Sequence, residues 1–96
     1  MNNKTLPPIH AGEVLKVDFL EALEISQYRL AKAMHVPPRR INEIVQGRRG
    51  ISADTALRLS KALGTTAAFW MNLQTRYDLE TAEGTVELSR IDQLIA

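Results

Sequence analysis

The chain has 96 residues, 45% of them hydrophobic, no cysteine and a formal net charge of +1. That length supports one core rather than two, and without cysteine there is no disulfide framework, thiolate metal site or thiol nucleophile. No apolar run approaches the roughly 20 residues that a membrane-spanning helix requires.

Residues 1–8 are polar and then proline-containing (Leu6, Pro7, Pro8), which predicts a flexible N-terminal arm. The start lacks the basic-then-apolar order of a secretory signal, so a cytoplasmic location is expected. A first helix is predicted from about Ala11 to Leu23. Leu15, Phe19, Leu20 and Leu23 give it an inner face, and Glu13, Asp18, Glu21 and Glu24 stay in water. The early acidic residues also suit the positive end of the helix dipole.

The stretch Ser26–Gly47, SQYRLAKAMHVPPRRINEIVQG, reads as two short helices joined by a tight corner. Ser26 is a good N-cap, and Leu30, Ala31 and Met34 fall on one face of the helix it starts. His35 fills the corner, where positive φ is wanted and His is among the more tolerant non-glycine residues. Val36 plugs the corner. Pro37 and Pro38 stop one helix and start the next, a first-turn proline losing no needed hydrogen bond. The next helix turns Ile41, Ile44 and Val45 inward, with Gly47 as its stop. Arg39, Arg40, Asn42, Glu43 and Gln46 are left to face outward. This is the pattern of a helix-turn-helix, whose second helix enters the DNA major groove.

Arg48, Arg49 and Gly50 form a basic loop. Ser52 caps a fourth helix over about 52–63, predicted to bury Ala56, Leu57, Ser60 and Leu63 before Gly64 ends it. A fifth and longest helix starts near Thr65 or Thr66, carries Phe69, Trp70, Leu73 and Tyr77, and breaks at Gly84. In the tail, TVEL alternates like a short strand and SRIDQLIA suggests a weak helix. Divided along the chain, the charge is −2 over residues 1–24, +6 over 25–64 and −3 over 65–96. The positive charge is thus gathered on the helix-turn-helix segment, as phosphate binding requires.

Other chemistry finds little support. His10 and His35 have no second ligand at metal-binding spacing, so no metal or other cofactor is expected. No activating turn surrounds any serine, so catalysis is not expected. Phe69, Trp70 and Tyr77 could form a base-stacking platform, but helical spacing and acidic neighbours favour core and dimer interface.

Five helices with the motif at the second and third resemble the phage-repressor-like (XRE) helix-turn-helix family. Ile9–Leu15, IHAGEVL, is similar to the opening of HigA-type antitoxins, with Ala11 where that family often has proline. Gly47–Leu79, GRRGISADTALRLSKALGTTAAFWMNLQTRYDL, is similar to the same family almost throughout. The resemblance implies an all-α fold with a helix-turn-helix domain over 9–80 and a C-terminal extension over 81–96, a possible dimerisation segment. It implies a homodimeric repressor that binds a palindromic operator in double-stranded DNA, represses its own operon and neutralises a HigB-like toxin that cleaves mRNA. An orphan regulator without a toxin is one alternative. The other is a toxin-sequestering module with vestigial DNA binding, meeting a basic ribonuclease through Asp18, Glu21 and Glu24.

Within such a domain the expected DNA contacts divide into those that position and those that specify. Gln27, at the first turn of the leading helix, faces a phosphate. Pro38 and Arg39 open the recognition helix, and Arg39 is the expected reader of guanine O6 and N7. Asn42, one turn along, suits adenine or a phosphate. Arg40, about 100° around the helix, suits phosphate, as do Gln46, Arg48 and Arg49 at the far end. Glu43 is expected to pair with Arg39 or Arg40 without DNA, or to accept from cytosine N4.

Overall fold

The computed structural model describes residues 6–96; the first five residues of the expected N-terminal arm lie outside them. Helix α1 (Ala11–Val14) continues without a break into a π-helical stretch, Leu15–Glu21. It is followed by α2 (Gln27–Met34), α3 (Pro38–Val45), α4 (Ala53–Leu63) and α5 (Ala67–Glu83), with no strand among the described residues.

The helix starts follow the residues that cap them. Ser26, Ser52 and Thr66 each accept a hydrogen bond from the backbone N–H three residues on, and Pro38 occupies the first turn of α3. The helix ends use left-handed residues. Glu24 (φ 55°), His35 (φ 57°) and Gly47 (φ 76°) each close a Schellman motif. In it the following N–H reaches back five residues: Ile25 to Leu20, Val36 to Ala31, Arg48 to Glu43.

The core gathers Leu15, Leu20, Leu30, Ala31, Met34, Ile41, Ile44, Ile51, Ala56, Leu59 and Trp70, with Val45 and Leu63 packed partly against it. Trp70 is its largest member. Its indole N–H donates to Thr65 Oγ1 at 2.7 Å, and Phe19 and Phe69 lie 5.2 and 5.0 Å from its ring centroid. Burial and a satisfied N–H remove Trp70 from any base-stacking role.

Three expectations are corrected. Leu23 is 56% exposed rather than inner, because the helix ends at Glu21 after its π-helical stretch and the closing turn carries Leu23 outward. In α4, Leu59 takes the buried place and Leu57 is 62% exposed; the apolar stripe runs through Thr55, Ala56 and Leu59, which leaves Leu57 off it. The tail forms neither strand nor helix. Beyond Gly84 it is an extended, exposed segment with one turn near Ser89, because Val86, Leu88 and Ile91 find no surface of the same chain to cover them.

Helix α3 is held by α2 on one side and α1 on the other, and α5 packs mainly on α4. The α1–α3 crossing brings backbones together: a Cβ on Gly12 would lie inside the Ile44 carbonyl.

Candidate nucleic-acid interface

Pro38, Arg39, Asn42 and Gln46 lie exposed along α3, and Arg48 and Arg49 are exposed in the loop that follows. That loop leaves α3 at Gly47, whose positive φ lets the chain turn so that Arg48 and Arg49 flank the helix end. Gln27, half-buried at the first turn of α2, is tied to this surface. Its Oε1 accepts from Asn42 Nδ2, so the two helices of the motif are joined by a polar bond at the face the sequence assigns to DNA.

Glu43 stands at the centre of the patch. Arg39 Nε donates to Oε2 at 3.1 Å, and Arg49 donates to Oε1 from Nε at 2.9 Å and from Nη2 at 2.8 Å. Arg49 and then Arg39 hold the carboxyl below the usual glutamate range, so it is ionised wherever the protein is folded near neutral pH. The expected pairing with Arg39 is present, and Arg49 is a second partner that spacing alone did not suggest.

Arg40 sits differently from its neighbours. Its Nη1 donates to Asp54 Oδ2 at 2.9 Å, and the same oxygen accepts from Arg58 Nε at 3.0 Å. Arg58 Nη1 in turn donates to the Met34 carbonyl at 2.8 Å. The Asp54 carboxyl is held down by Arg58 first and Arg40 second. Arg40 therefore links α3 to α4 and the end of α2, with 28% of its side chain exposed. Arg58 joins the motif through the carbonyl that α2 leaves free, a role the sequence reading missed; its only signal was the spacing from Asp54.

On the opposite flank His10 caps α1. Its Nδ1 accepts from the Gly12 N–H at 2.9 Å, and its ring meets Tyr77 edge-on at 4.8 Å. Burial lowers its pKa, against the opposing pull of Asp78. Among the described residues no group of three or more His, Asp or Glu side chains could hold a metal ion, and no helix is long and apolar enough to cross a membrane.

A surface with Arg39, Arg48 and Arg49 exposed and the amides of Gln27, Asn42 and Gln46 among them has the chemistry to lie along a polyanion. The helix-turn-helix family pattern matches residues 18–70. Virulence-associated protein I of Dichelobacter nodosus is 54% identical over 78 residues, covering 81% of this chain and 72% of that one. Antitoxin HigA-1 of Vibrio cholerae is 41% identical over 73 residues, 75% of this chain and 68% of its own. Among solved structures, Pseudomonas aeruginosa antitoxin HigA with the higBA promoter superposes with a TM-score of 0.84 at 45% identity, covering 92% of this chain and 99% of that one.

Proposed function

Because this chain belongs to the helix-turn-helix family, we propose that it is a sequence-specific DNA-binding repressor and the antitoxin of a toxin–antitoxin pair. It acts as a cytoplasmic homodimer that binds its own operator and neutralises a HigB-like mRNA-cleaving toxin. The observation that carries this reading is the likeness, over nearly the whole chain, to an antitoxin captured with its promoter.

The division of labour on DNA follows from where each group sits. Helix α3 enters the major groove N-terminus first, so Pro38 and Arg39 reach deepest. The Arg39 guanidinium forks onto guanine O6 and N7. Asn42, oriented by Gln27, reads adenine or grips a phosphate, and Gln27 adds a phosphate contact of its own. Gln46, Arg48 and Arg49 meet the backbone at the helix's far end. Arg40, bound to Asp54, keeps α3 on α4 and offers its remaining N–H groups to a phosphate. One such module binds weakly; a dimer sets two recognition helices roughly 34 Å apart, one turn of B-DNA. The surface left for that dimer is the exposed tail beyond α5 with Leu79, Val86, Leu88 and Ile91, which leaves α3 free.

An electrophoretic shift with the duplex upstream of this gene, against a scrambled duplex of equal length, tests the DNA half. Preferential retardation of the upstream duplex is expected, and equal retardation of both would refute it. Co-expression with the adjacent reading frame tests the other half. Growth arrest caused by that frame alone and lifted by this chain is expected; no arrest, or arrest that persists, would leave a regulator without a toxin.

A further inference from the structure

Resting on the DNA-binding reading above, we propose that Glu43 is a positioning residue for sequence discrimination, anchoring Arg39 by its Nε so that only the terminal fork is offered to DNA. Three observations carry this. The pair uses Arg39 Nε and Glu43 Oε2, at 3.1 Å, and the two terminal amino nitrogens of Arg39 have no protein partner among the described residues. Those are the nitrogens that bond guanine O6 and N7 side by side. The second carboxylate oxygen is taken by Arg49, which fixes the carboxylate from the loop side, and only 22% of the Glu43 side chain is exposed. The contrasting cluster at Asp54 takes Arg40 by a terminal nitrogen, Nη1, and thereby occupies one prong of its end-on fork.

The consequence is selective. Non-specific binding uses phosphates, toward which an untethered arginine swings freely. An arginine held at Nε reaches a phosphate only by giving up its bond to Glu43 Oε2, which leaves Arg49 as the one partner of an ionised carboxylate beside a polyanion. It reaches a guanine edge with the Nε pair intact. Glu43 thus lowers affinity for wrong duplexes more than for the right one, a repulsive element on the recognition helix.

Affinities for the upstream duplex and a scrambled duplex, measured by fluorescence anisotropy at fixed salt, test this in wild type, Glu43→Gln, Arg39→Ala and the double variant. Glu43→Gln keeps the side chain's size and removes its charge. It should bind the scrambled duplex about fivefold more tightly without gaining on the upstream one, so the discrimination ratio falls by about the same factor. In the Arg39→Ala background the same change should alter the ratio by less than about twofold, since the coupled partner is gone. Arg39→Lys, which lacks Nε and the fork, should lose discrimination as Arg39→Ala does while keeping the charge. A wild-type protein that discriminates while Glu43→Gln discriminates equally well overturns the proposal, as does an equal drop in ratio with or without Arg39. A wild-type protein that prefers neither duplex overturns the DNA-binding reading itself.

Discussion

His10 shows how much one side chain in this molecule does. As an acceptor at Nδ1 it caps α1, and its ring closes the junction with α5 against Tyr77. The capping role needs the neutral imidazole, and burial lowers its pKa. The unfolded chain therefore binds a proton at higher pH than the folded one does. The resulting stability is fully present above the unfolded value near 6.5 and is lost as pH falls toward the lowered folded value. Urea denaturation at stepped pH should show the midpoint falling below about pH 6.5. His10→Asn, which can still cap but does not titrate, should flatten that fall. A wild-type midpoint constant from pH 7.5 to 5.5 would contradict this role. Glu24 offers a second residue-level test. It holds a left-handed conformation with an exposed side chain, a geometry that strains any residue but glycine. Glu24→Gly should raise stability by up to about 1 kcal/mol, offset in part by the freer unfolded chain. A clear loss in thermal denaturation would show that the glutamate makes a compensating contact.

At the level of the elements, the recognition helix is placed by a backbone-to-backbone crossing. Gly12 lies against the Ile44 carbonyl, so α1 sets the depth at which α3 sits. Gly12→Ala forces the two helices apart and should cost about 1–3 kcal/mol, as overpacking of a tight contact does. Circular dichroism melting would register it, and an unchanged melting temperature would show that the crossing can relax freely.

The sequence was most legible wherever structure is locally determined. Ser26, Ser52, Thr66, the Pro38 start and the left-handed His35 corner all depend on residues within one turn of the chain. Failures came where a longer-range fact decides. The π-helical stretch shifts which residues of the first helix face in, and no single residue announces it. Leu57 and Leu59 are the same residue type two positions apart, and only the packing of α4 on its neighbours chooses between them. The Arg40–Asp54 pair joins residues 14 apart across two helices. In the candidate interface the residue types and their exposure were readable, but the network centred on Glu43 was only half so. Arg39 lies one helical turn away, whereas Arg49 returns to Glu43 through a loop whose path is set by Gly47.

Taken whole, the molecule separates its tasks along its length. The described chain has a radius of gyration of 16.0 Å, against about 12–13 Å for a compact domain of this length, because the tail stands away from the helical body. A monomer gains nothing by exposing Leu88, Ile91, Leu94 and Ile95. On the homodimer reading proposed above these side chains serve as the surface for a second copy, and removing the residues after Gly84 should shift sedimentation toward the monomer and weaken operator binding. The opposite task falls to the basic middle of the chain, whose +6 charge between acidic flanks is a property of the whole sequence. On the proposed function this charge is organised, with Arg39 reading bases and Arg48 holding backbone. The most direct test of that division is the salt dependence of binding to the upstream and scrambled duplexes for wild type, Arg39→Ala and Arg48→Ala. Arg48→Ala should weaken both duplexes alike and flatten the slope of log affinity against log salt by about one, while Arg39→Ala should abolish the preference between them. An equal loss of preference in both variants, or in neither, would contradict the account.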